Sequence, residues 1–348
     1  MLARAYAKEG NLRKALEIAQ QAQSTNPENA EILDTLGTIQ IAAGEKEQAL
    51  ATFANLVKLQ PKSPLALYRL ATAQAAARDT PSATATLKKA LAIKPDFHDA
   101  QGALAELEIR AGHNSEALKL AQQLQKQVAK SPLGYALEGD VRMAEKNYPQ
   151  AIKSYETAFG IAKSGPLLIK LHQASVLGGK RAEADSRLTQ WLKDSPEDAE
   201  VRSYAAIDSV TRGNYKRAIE EYELLLRTQP DNVLALNNLA WAYQQAKDPR
   251  ALETAEHAYK LRPSNPQVAD TLGWILSEQG NTSRAVELLQ KAVAANPGAQ
   301  DIRFHLAQTY LKMGDKIKAR AELERIKSNG TKFNQESEAM NLLKQLKQ

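Results

Sequence analysis

The stretch ADTLGWILSEQGNTSRAVELLQKAVAANP, Ala269 to Pro297, holds one complete unit of a pattern that organises the whole chain. Gly273 acts as its anchor: Gly280 follows seven residues later, Ala285 twelve and Pro297 twenty-four. Leu272, Leu276, Leu289 and Ala292 fall at helical spacing on either side of Gly280. A glycine there suits the left-handed backbone that stops a first helix. The stretch therefore reads as helix, turn, helix.

Working outward, proline recurs at Pro27, Pro61 and Pro95, then at Pro196, Pro230, Pro263 and Pro297; within each set the step is 34 residues, with one of 33. The same phase gives ten anchors: Ala3, Gly37, Ala71, Ala105, Gly139, His172, Ala206, Ala240, Gly273 and Ala307. All but His172 are small. Twelve residues after each anchor, or eleven after Ala240, stand Ala15, Ala49, Ala83, Ala117, Ala151, Ala184, Ala218, Ala251, Ala285 and Ala319. A glycine seven residues past the anchor occurs in seven of the ten repeats, and Pro81, Pro149 and Pro249 fall just beyond the turn in the other three. Proline is tolerated at the first position of a second helix because its missing N–H would be unpaired there. No segment shows the period-2 alternation of a strand.

These spacings resemble the tetratricopeptide repeat (TPR), with its Leu-Gly pair, Tyr, Ala, Phe and closing Pro. The resemblance implies an all-α, right-handed TPR superhelix of about ten helix-turn-helix repeats over residues 1–330. A two-helix unit cannot bury its apolar face alone, so small residues let neighbouring helices approach while larger ones fill the space between repeats. Phe333, Met340, Leu342, Leu343 and Leu346 form an apolar stripe, which predicts a C-terminal capping helix within residues 331–348. The first repeat begins at its sixth position, as expected for part of a longer parent. His172 at an anchor and Trp191 where Ala is usual predict wider packing, making residues 129–195 the expected place for altered curvature and for separate unfolding of the two halves.

Composition narrows the function. The chain has 348 residues and no cysteine, which excludes disulfides, thiolate zinc sites and cysteine nucleophiles. Lys and Arg number 46 against 40 Asp and Glu, mixed along the chain, so the net +6 does not point to nucleic acid. His98, His113, His172, His257 and His305 are scattered without metal-ligand spacing, and no phosphate loop or nucleophile elbow occurs. The expectation is a non-enzymatic chain with no catalytic residue, no cofactor and no metal. Membrane attachment is expected only through a lipid anchor outside this sequence.

The family resemblance implies that first helices line a concave groove. Along it stand Tyr204, Asn237, Asn238, Trp241, Gln245, Asp270, Trp274 and His305, the candidate partner-binding residues. Co-chaperone relatives clamp a terminal carboxylate with Lys, Asn, Asn, Lys and Arg on three successive repeats. Here Asn238 matches one Asn position, but Ile207, Gln267 and Thr271 stand where other members of the set are required. Trp241 and Trp274 occupy the same position one repeat apart, and are expected side by side. They either form a platform for an extended peptide or a sugar ring, or pack against the next helix.

Leu236-Asn-Asn-Leu-Ala-Trp-Ala-Tyr243, Asp270-Thr-Leu-Gly-Trp-Ile-Leu276 and Ile302-Arg-Phe-His-Leu-Ala307 further resemble the C-terminal part of the TPR lipoprotein of PEP-CTERM/exosortase systems, best from Pro196 to Gln348. That resemblance implies a periplasmic, possibly outer-membrane, scaffold in exopolysaccharide production and protein sorting, with a protein or peptide in its groove. Two alternatives stay open: a cytoplasmic adaptor or co-chaperone holding a peptide tail, and a scaffold binding anionic exopolysaccharide directly.

Overall fold

The computed structural model describes residues 2–330 and 332–346, and among these residues there are 21 helices and no strand. The chain divides into two compact units, residues 1–187 and 188–348. The first contains α1 (Leu2–Lys8), α2 (Leu12–Thr25), α3 (Ala30–Ala42), α4 (Lys46–Leu59), α5 (Pro64–Ala76) and α6 (Thr80–Ile93). It continues through α7 (His98–Arg110), α8 (Asn114–Gln127), α9 (Leu133–Ala144), α10 (Tyr148–Ile161) and α11 (Gly165–Leu177). The division falls within α12 (Arg181–Asp194), inside the stretch where the sequence places its irregularity. The second unit holds α13 (Ala199–Thr211), α14 (Tyr215–Thr228), α15 (Val233–Gln245), α16 (Ala251–Leu261) and α17 (Pro266–Glu278). It ends with α18 (Thr282–Ala295), α19 (Gln300–Lys312), α20 (Lys316–Asn329) and α21 (Glu336–Gln345).

Each anchor lies on the first helix of a pair and each phased alanine on the second. All ten alanines are buried, none more than 3% exposed. The reason is close approach: a Cβ on Gly37 would stand 2.5 Å from the Phe53 ring, and one on Gly273 would stand 2.8 Å from Leu289. A side chain of any size would force the two helices apart. His172, the exception, is buried all the same, and its Nε2 lies 3.1 Å from Asp185 Oδ1 on α12. Trp191 is half-buried and donates its indole N–H to Asp198 at 2.8 Å.

The turns are more uniform than the residues that make them. Gly10, Gly44, Gly112, Gly179, Gly213, Gly280 and Gly314 all have positive φ, and in the three repeats without glycine Arg78, Lys146 and Lys247 adopt φ of 66°, 58° and 57° at the same position. In five repeats the residue after this turn caps the second helix through its side chain. Asn11, Asp79, Asn147, Asn214 and Asp315 each accept an N–H of the first turn through their side chain, a contact that stabilises a helix by about 1 kcal/mol. Pro81 and Pro149 lie in the first turn of α6 and α10, but Pro249 precedes α16, which is only 11 residues long. In this repeat, whose step from anchor to alanine is one residue shorter, the proline stays in the turn.

A further recurrent device ties three of the repeats to the one before. Four residues before an anchor, Gln101, Arg202 and Arg303 donate to the carbonyls of Pro95, Pro196 and Pro297 at 2.8, 2.7 and 3.2 Å. Arg202 also pairs with Glu221, and Arg303 with Glu322, on the second helix of the same repeat. At the C-terminal end, Ala339 and Leu343 of α21 are buried against Phe304, Leu323 and Ile326, with Phe333 packed on the cluster.

Candidate functional site

Within the second unit, α15, α17 and α19 are the first helices of three successive repeats, and they pack side by side in that order. Spacings of 33 and 34 residues between their anchors bring equivalent faces of these helices together. Trp241 on α15, Asp270 and Trp274 on α17 and His305 on α19 converge there, although only Asp270 and His305 are largely buried. Both indoles are half-buried.

The expected pair of tryptophans proves to be a group of three rings. Trp274 stacks on His305 with centroids 4.6 Å apart and planes at 23°, while Trp241 meets the same imidazole at 6.2 Å and 35°. His305 is the ring both indoles share. Its Nδ1 is 2.8 Å from Asp270 Oδ1, a contact buried between α17 and α19. Burial holds the Asp270 carboxyl above the usual carboxylate range; the His305 contact pulls it down and nearby Asp301 pushes it up. The Thr309 and Ser277 hydroxyls meet at 2.9 Å one turn further along, fixing the register of the two helices. Lys312 Nζ lies 5.1 Å from the Trp274 ring centre and also pairs with Glu278. These contacts make Trp274 part of the support.

Trp241 lines an open groove of about 650 Å³ with Asn237, Asn238, Asp270 and His305. Gln267, Gln300, Asp301 and the Lys332–Gln335 segment complete its walls. Of the other expected residues, Tyr204 is half-buried and Gln245 exposed, and neither lines this groove; nor does Trp274. The two asparagines differ in availability. Asn238 donates its amide N–H to Tyr222 Oη at 3.1 Å, whereas Asn237 Oδ1 is buried with no hydrogen-bond partner. Gln300 Oε1 is in the same condition. Such atoms are costly in a folded protein and mark places where a ligand donor would be welcome.

Gln300 and Asp301 were missed as site residues. Both stand at the start of α19; Asp301 falls 34 residues after Gln267, at the same repeat position, so counting could have found it, whereas nothing in the spacing marks Gln300, and the Lys332–Gln335 segment lines the same groove. No helix among the described residues is long and apolar enough to cross a membrane.

Residues 6–74, 74–140 and 276–346 match one tetratricopeptide-repeat profile, and residues 205–266 match a second. A TPR repeat-containing protein of Pseudomonas aeruginosa is 26% identical over 131 residues, covering 37% of this chain and 22% of that protein. Cellulose synthase operon protein C of Pseudomonas fluorescens is 32% identical over 135 residues, 36% of this chain and 10% of its own length. The chain thus spans a small part of these curated relatives. Among solved structures, the APC/C hetero-tetramer Cut9-Hcn1 is similar in fold, with a TM-score of 0.51 and 10% identity over 99% of this chain and 95% of the matched one. Since the first profile alone covers more than half of the residues, and the anchors and turns repeat as the profile requires, the chain belongs to the tetratricopeptide-repeat family.

Proposed function

We propose that this protein is a non-catalytic scaffold that holds a segment of a partner protein in the groove between α15, α17 and α19. The observation that carries the reading is the pair of buried, unpartnered amide oxygens, Asn237 Oδ1 and Gln300 Oε1, beside the half-buried face of Trp241. Gln308 Oε1 on α19 is also buried without a partner, but Gln308 does not line the groove. Asn237 and Gln300 both line an open groove, and unanswered amide oxygens at its wall fit a site completed by a ligand. In this reading Trp241 is the anchor, Trp274 and His305 hold its surroundings rigid, α21 caps the last repeat, and the Lys332–Gln335 segment closes the groove's end.

The scaffold is assigned to a bacterial periplasmic apparatus for exopolysaccharide production and protein sorting. Support comes from the resemblance of residues 196–348 to PEP-CTERM-associated lipoproteins and from similarity to a protein named for the cellulose synthase operon. A photo-crosslinking residue in place of exposed Gln267, at the groove's edge, tests both parts in the source bacterium. The expected outcome is crosslinking to envelope proteins that disappears in Trp241→Ala. Equal capture with and without Trp241 would overturn the groove, and capture of cytoplasmic proteins alone would overturn the location.

A further inference from the structure

Resting on the groove reading above, we infer that the groove binds a cationic side chain, a Lys ammonium or Arg guanidinium, presented by the partner segment. Gln300 is only 2% exposed, and its Nε2–H donates to the Gly298 carbonyl at 3.1 Å, which fixes the orientation of the amide and leaves Oε1 without a donor. Asn237 Oδ1 on α15 faces the same want. A ligand that only accepts cannot satisfy either atom, whereas an ammonium with three donors or a guanidinium with five can answer several oxygens at once.

Charge agrees with the hydrogen-bonding sense. Asp301 is exposed, lines the groove and makes no ion pair among the described residues; Asp270, its neighbour in the lining, is engaged by His305. Lys332 is the one Lys or Arg in the lining. The chain carries net +6 overall, so a local excess of oxygen acceptors and carboxylates is a departure from its general surface. The half-buried Trp241 ring supplies a π face, which attracts a cation held above it. An anionic segment would meet Asp270, Asp301 and two amide oxygens here with Lys332 alone to answer it, and the groove is thus opposite in polarity to one that grips a terminal carboxylate.

The chain has three tryptophans, Trp191, Trp241 and Trp274, so its indole N–H signals can be followed singly by nitrogen-proton NMR and assigned with a Trp241→Phe variant. Blocked trilysine, triglutamine, triglutamate and cellotetraose are titrated against the full chain. The expected result is a saturable shift of the Trp241 signal with trilysine, at least tenfold tighter than with the other three probes and weakened at least tenfold by Asp301→Asn, an exposed and structurally mild change. If triglutamine, triglutamate or cellotetraose binds as tightly as trilysine, or if Asp301→Asn leaves trilysine unaffected, the cationic assignment fails while the groove stands. A Trp241 signal that no probe moves would remove both.

Discussion

Two buried histidines, each beside an aspartate, do different work in the two units. His172 sits at a repeat anchor on α11 and meets Asp185 on the second helix of its own pair, so its ring replaces the small residue that normally lets the pair close. His305 sits on α19 and meets Asp270 on α17, joining first helices of neighbouring repeats, and it lies against two indoles and an open groove. The first pair completes a hairpin. The second completes the wall proposed to hold a partner. The same two side-chain types therefore mean structure in one place and site architecture in the other, and only their position in the repeat tells them apart.

The largest expected effect separates the pairs by stability. His172→Ala removes a fully buried ring together with its contact to Asp185, so it should cost about 2–4 kcal/mol in denaturant unfolding. A loss below about 1 kcal/mol would show that the hairpin closes readily around alanine, as at the other anchors, and that the histidine is merely tolerated.

The second test uses pH. Burial raises the Asp270 carboxyl above its ordinary value of 3.8, against the pull of His305 and with the push of Asp301. The folded state therefore holds the proton more tightly than the unfolded chain, and the stability this contributes is fully present below the ordinary carboxylate range and lost as pH rises through the folded pKa. Asp270→Asn, which keeps an acceptor for the imidazole, should gain stability relative to the parent as pH rises across that window. Melts that differ by a constant amount at every pH would assign Asp270 no such penalty.

The smallest effect lies in the turns, outside both pairs. Arg78→Gly, Lys146→Gly and Lys247→Gly relieve left-handed backbone at non-glycine residues, and each should raise stability by about 0.5–1 kcal/mol after the entropic cost of glycine. A uniform loss would mean that these side chains make contacts worth more than the strain.

How much of this was legible in the sequence follows from what each feature depends on. The anchors and their alanines were legible because close helix approach admits only small residues, and the burial of all ten alanines follows from that steric limit. Left-handed turns at Arg78, Lys146 and Lys247 were hidden because residue type no longer reports the conformation once the repeat imposes it. Trp241, Trp274 and His305 could be placed on one wall by counting. The stacking of both indoles on His305 depends on side-chain rotamers that spacing does not encode, and the place of Lys332–Gln335 in the groove lining depends on how the segment after α20 returns to the wall.

The central claim is that Trp241 faces a partner and does not fill a core. Its most direct test is a titration of Trp241→Ala against the crosslinked partner, once purified, beside a thermal melt of the same variant. The expected result is binding weakened roughly 30-fold, about 2 kcal/mol, as for aromatic hot spots, with stability reduced by much less than the 3–5 kcal/mol of a buried tryptophan. Unchanged affinity together with a large fall in melting temperature would contradict it.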